Sequence, residues 1–109
     1  MSTSVDFIEF AADQAAGTGA VRYRKMFGEY MLYVDDRPLL LVCDNVAYVK
    51  IREETASLLA DAPVGLPYAG AKDHYILDIE NRDLVHDVIR ALLPVTPIPV
   101  KKSKKKKED

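Results

Sequence analysis

A chain of 109 residues has the length of one domain with its own core, and its apolar fraction of 49% and charged fraction of 29% are those of a globular protein, with no apolar run near the roughly 18 residues of a membrane span. The single cysteine, Cys43, excludes an internal disulfide and any thiolate cluster for zinc or iron–sulfur chemistry. The net charge of −2 conceals two opposed regions: residues 101–109 hold six lysines and two acids, leaving nine basic and fifteen acidic groups in the first 100 residues, a body at −6 that repels a phosphate backbone on average.

The N-terminus, MSTSVDFIEF, has no basic residue before its apolar positions and carries Asp6 and Glu9 among them, so it is not a secretory signal and a cytoplasmic location is expected. Residues 4–16 predict a helix: Val5, Ile8, Ala11, Ala12 and Ala15 recur at helical spacing, Asp6, Glu9 and Asp13 form the opposite stripe, Ser4 caps it and Gly17 and Gly19 end it. From Val21 to Ile51 the runs VRYRKMF, YMLYV, LLLVC and VAYVKI predict four strands of an antiparallel meander. Gly28-Glu29 fits a two-residue type II′ hairpin with Gly28 supplying the positive φ, the rival being a bulge in one bent strand. Asp35-Asp36-Arg37-Pro38 implies a slightly longer loop, and Asp44-Asn45 a tight turn.

Residues 52–60 predict a short helix with Ala56, Leu59 and Ala60 inward, followed by a loop from Pro63 to Asp73 and the strand HYILDI. Asn81 then caps a final helix in which Leu84, Val85, Val88, Ile89 and Leu92 share one face and which Pro94 stops. The expected organisation is one domain over residues 1–94 and a disordered, Pro-containing, Lys-rich tail over 95–109. The strands LLLVC and VAYVK are apolar at both parities, so both sheet faces call for cover, one from helices and the other from a further helix or a second copy of the chain in a homodimer.

Motifs for chemistry fail one by one. In GLPYAGAKD, Gly65 and Gly70 match the spacing of a phosphate-binding loop, but Lys72 falls one place late, Asp73 replaces the magnesium-binding hydroxyl, and a strand follows where a helix N-terminus is needed. His74 and His86 have no metal-ligand spacing around them, and His86 falls on the polar side of its helix as a solvated surface residue. Cys43 lies in an apolar strand beside Asp44, the setting of a structural thiol. Asp35, Asp36 and Asp44 are turn residues, and neither a calcium loop nor a GxSxG elbow is present. No catalytic residue, metal or cofactor is expected. The tyrosines at 23, 30, 33, 48, 68 and 75 read as sheet packing, with base stacking the alternative that the acidic body opposes. Lys101, Lys102, Lys104, Lys105, Lys106 and Lys107 form a run that either tethers the protein to polyanions without sequence specificity or serves as a solvated tail.

Residues 24–51, RKMFGEYMLYVDDRPLLLVCDNVAYVKI, resemble the N-terminal domain of the TfoX/Sxy family, bacterial regulators of natural competence. The likeness rests on Lys25-Met26-Phe27-Gly28, Tyr30, the Leu32-Tyr33-Val34-Asp35 strand end and the LLLVCDNVAYVKI hairpin, and continues more weakly through Tyr68 and HYILDIEN to cover residues 4–93. It implies an α+β fold, an antiparallel β-meander sheet with flanking helices like that of secretion chaperones, the class that the runs also give. The chain departs from the family at Met31, where members often have Gly, and at Asp35-Asp36 in place of Asp-Gly; full regulators also carry a second, C-terminal domain, so the likeness is to a stand-alone N-terminal domain.

The function expected is that of a non-enzymatic protein-interaction domain, accessory to transcriptional or competence regulation, with Phe27, Gly28, Tyr30 and Tyr33 as its contact surface. Weak, non-specific nucleic-acid binding through the lysine run is the alternative, and a cryptic enzyme the third.

Overall fold

A computed structural model describes residues 3–99. Helix α1 spans Val5–Ala15, with Ser4 at its cap accepting a hydrogen bond from the Phe7 amide at 3.1 Å and Asp6 in the first turn, where a negative charge favours the helix dipole. Its buried side is Ile8, Ala11, Gln14 and Ala15, with Phe7 half-buried beside them; Val5, expected inward, is exposed, so the packed stripe begins only in the second turn. Four strands follow: β1 (Val21–Met26), β2 (Glu29–Val34), β3 (Arg37–Cys43) and β4 (Val46–Lys50). A short β5 (Val64–Gly65) and β6 (His74–Leu77) complete an antiparallel sheet of order β1-β2-β3-β4-β6-β5. Helix α2 spans Arg82–Leu92 with Asn81 Oδ1 accepting from the Leu84 amide at 3.1 Å, and Pro94 sits in the 3-10 turn Leu93–Val95 that ends it. The α+β class is therefore present, and no helix among the described residues is long and apolar enough to cross a membrane.

Three hairpins join the first four strands, and all three are two-residue turns with positive φ at both positions, the type I′ geometry whose twist matches that of the strands. Asp44 and Asn45 (φ 52° and 59°) take the turn expected of them. The others correct the sequence reading. Asp35 and Asp36 (φ 51° and 65°) make a tight turn, with Arg37 already paired to Val34, so the longer loop is absent; the extra residue goes into a bulge at Leu39, beside Pro38, whose missing N–H a bulge tolerates. In the first hairpin Met26 pairs with Glu29, so the turn is Phe27-Gly28 (φ 52° and 83°) in type I′, not Gly28-Glu29 in type II′. Gly28 still holds the positive φ. Gly28→Ala is accordingly expected to cost about 1 kcal/mol or more, read as a lower urea midpoint at unchanged slope.

Cross-strand partners share a face, and the register gives two unlike sides. Leu32, Val34, Leu40, Val42, Ala47, Val49 and Leu77 face α1 and α2, where Ile8, Ala11, Val85, Val88, Ile89 and Leu92 close the core. Both helices lie on that side. The other face, with Arg22, Arg24, Met31, Tyr33, Leu41, Tyr48, Lys50, His74 and Ile76, carries no helix among the described residues.

Residues 52–60 do not form the expected α-helix: a 3-10 turn at Glu53–Thr55 leads into further turns, with Thr55 and Leu59 buried and Ala56 and Ala60 exposed. The segment anchors through those two buried side chains, a pattern that does not need helical repeat. The loop after Pro63 contains β5, because the Ile76 amide bonds to the Pro63 carbonyl at 2.8 Å and draws Val64 alongside Tyr75. His86 is half-buried, its Nε2 at 3.0 Å from the Gln14 carbonyl, so it joins α2 to the end of α1 and is not a solvated residue.

Candidate functional site

The tip of the β1–β2 hairpin presents an apolar ring to solvent. Phe27 is exposed to 104% of its reference area while its backbone holds φ 52°, a conformation that costs a bulky L-residue about 1 kcal/mol or more. Nothing packed against the ring repays that strain. Arg24 and Lys25 stand just behind it on β1, both exposed.

The four residues read from the sequence as one contact surface fall in three places. Phe27 and Gly28 form the tip. Tyr30 is buried on the helix side, edge-to-face with Tyr23 at 5.5 Å between centroids. Tyr33 lies on the opposite face, 9% exposed, with the Arg22 guanidinium 4.2 Å above its ring and Arg22 Nε 3.1 Å from Asp36. The lysines at 101, 102 and 104–107 lie outside the described residues.

Behind the tip, Glu29 ties the hairpin to the rest of the fold. Its Oε1 accepts from the Thr3 hydroxyl at 2.7 Å and from the Asp44 amide at 2.9 Å, the Thr3 hydroxyl accepts from the Asn45 amide at 3.2 Å, and the Thr3 amide donates to the Gly28 carbonyl at 3.3 Å. One carboxylate thus fixes the N-terminal segment, the first turn and the third turn together. Sequence reasoning misses this role, since it places Glu29 in the turn itself.

A cleft of about 690 Å³, a size that suits a small ligand or a short segment of a larger one, lies along the helix-free face and is walled in part by Leu39, by Leu92 at the end of α2 and by Thr96, Pro97 and Pro99 of the segment that follows it. Tyr48 and Lys50 reach it from β4, His74 from β6, and Tyr68 and Lys72 from the loop before β6. The Tyr48 and His74 rings meet edge-to-face at 6.4 Å, and His74 Nδ1 lies 2.8 Å from the Lys72 carbonyl, so the ring donates there and turns Nε2 away. Burial, and after it Cys43 and Asp44, raises the Tyr48 hydroxyl's pKa, which keeps it a neutral donor. The sequence carried one signal of this grouping: Tyr48 and Lys50 share a parity in VAYVK.

Cys43 is 4% exposed, and burial, then Glu29 and Asp44, push its thiol up to about 11, so it is not a thiolate nucleophile near neutral pH. Among the described residues no group of three His, Cys, Asp or Glu side chains lies close enough to hold a metal ion.

A family model described as the TfoX N-terminal domain matches residues 13–82. The chain is also 33% identical over 109 residues to an uncharacterized 12.7 kDa protein from the trpE 5′ region of Spirochaeta aurantia, covering 98% of this chain and 95% of that one.

Proposed function

The chain belongs to the TfoX N-terminal domain family, and from that premise we propose that it is a non-enzymatic interaction domain, accessory to transcriptional or competence regulation, that docks on a protein through the tip of its first hairpin. The observation that carries this reading is Phe27, an aromatic ring held fully in solvent on a left-handed backbone. A residue that works against stability and packs on nothing in its own fold has the profile of an anchor for a partner's pocket, and large aromatic side chains are enriched among such anchors.

Phe27→Asn separates the two demands on this position. Asn tolerates positive φ and Asn-Gly is a favoured type I′ pair, so the variant is expected to be more stable by about 0.5–1 kcal/mol in urea unfolding. The same variant is expected to lose its partner. A photo-reactive benzoylphenylalanine at position 27, illuminated in the native host, should give a discrete conjugate with a protein of the gene-regulation machinery, and Phe27→Asn should abolish the corresponding association. A stabilised asparagine variant that regulates normally, or a probe that conjugates nothing, removes the reading.

A further inference from the structure

We propose that the cleft on the helix-free face is a binding site for single-stranded nucleic acid, in which bases stack on Tyr48, Tyr68 and His74 while Lys50 and Lys72 hold phosphates. The site is separate from the hairpin tip and goes beyond the protein-docking reading. The body's balance of −6 speaks against nucleic acid only if the charge is spread evenly, and it is not. None of the sixteen residues that line the cleft is Asp or Glu, although the first 100 residues hold fifteen acids. Lys50, Arg52 and Lys72 line it, and Arg22 and Arg24 share its sheet face; Arg22 is paired with Asp36 and Arg52 with Glu54, so Lys50, Lys72 and Arg24 supply the charge on this side that no ion pair offsets among the described residues. Many of the acids are elsewhere: Asp6, Glu9 and Asp13 on α1, and Asp83 and Asp87 on α2, belong to the opposite side of the sheet. A concave, cationic surface focuses potential and attracts an anion even when the net charge is negative.

The rings decide which anion. An acidic peptide would use the cations but has no general need of aromatic faces, whereas splayed bases stack on them whatever their sequence. Tyr68 is 60% exposed, with its ring available, and Tyr48 and His74 are half-buried in the wall. Duplex DNA hides its base faces, so a site of this kind selects single strands. Arg52 serves less as a phosphate ligand than as a wall, since Glu54 lies 3.5 Å from its Nε and its terminal nitrogen donates to the Val95 carbonyl. Pro99 also lines the cleft, and the lysine run begins two residues further along the chain, at Lys101.

The test is fluorescence anisotropy of the full chain with a fluorescein-labelled oligo(dT) of about ten nucleotides, within the site size of small single-strand binders, over a range of salt. Tyr68→Ala should weaken binding about tenfold while leaving the salt slope unchanged, because stacking releases no counterions. Lys50→Ala with Lys72→Ala should weaken it too and flatten the log–log slope by about 1.4 on a single strand. Tyr68, Lys50 and Lys72 are all exposed, and the urea midpoint confirms that each variant is folded. If these variants bind like the parent while replacing the six tail lysines by serine abolishes binding, the tail alone holds the strand and the proposal fails. It fails equally if the parent does not bind the oligonucleotide at about 100 mM salt, where a specific single-strand site still holds, or binds polyglutamate in its place through the same two lysines. None of these three outcomes bears on the conjugate formed at position 27.

Discussion

Leu40→Ala is expected to lower the free energy of unfolding by about 2–5 kcal/mol, the range for emptying a fully packed aliphatic site. Leu40 has no exposure, lies on an interior strand, and faces Leu32 across the ladder on the side closed by both helices. Relaxation into the gap is restricted, because the neighbouring bulge at Leu39 already fixes the local course of β3 and Leu39 itself is in the core. Since a domain of this size has only about 5–15 kcal/mol in total, the loss should be visible as a large drop in the urea midpoint at constant slope. Leu66→Ala, at a position 53% exposed, serves as the control and should shift the midpoint little. Equal effects of the two changes would mean that the helix-packed side of the sheet is not the core.

Glu29→Ala is expected to cost about 1–3 kcal/mol, because hydrogen bonds to a charged acceptor are worth more than neutral ones and their donors are left without it. The Thr3 hydroxyl retains the Val42 carbonyl at 3.3 Å, which softens the loss, whereas the Asp44 amide gives up its carboxylate acceptor and must turn to water. Glu29→Gln keeps an acceptor oxygen and should cost less than the alanine change. A second readout distinguishes this network from general loosening. Glu29 is, after burial, the largest influence holding the Cys43 thiol up at about 11, so the glutamine variant should lower that pKa while the thiol stays buried. Thiolate absorbance followed against pH measures it. A thiol that titrates as in the parent would place the Glu29 carboxylate away from the Cys43 side of the sheet.

Local chemistry made much of this fold legible in advance. Ser4 and Asn81 mark the two helix starts because a short polar side chain can bond the free amides of the first turn, and both do so here. Alternating apolar runs separated by Asp44-Asn45 and its like define the meander, since Asp and Asn accept positive φ without help from outside the turn. These features depend on residues a few places apart. The family resemblance in residues 24–51 was legible for the same reason, being carried by the hairpins themselves.

Tertiary structure decided the rest. Phe27 occupies a left-handed position that its own chemistry disfavours because pairing Met26 with Glu29 keeps the Glu29 carboxylate on Thr3 and Asp44, partners 26 and 15 residues away. The Asp35-Asp36 turn is tight because β3 absorbs its extra residue as a bulge, a choice made by packing Leu39 and Leu40 into the core. Residues 52–60 are turns, not helix, because two buried side chains suffice to anchor them. The cleft shows the same principle at the level of function. Tyr48, Tyr68 and His74 are separated by twenty and six residues along the chain, and a net charge counts cations without saying where they stand; only the register of β4 against β6 and the course of the loop before it bring the rings and lysines together in a cleft that no Asp or Glu lines.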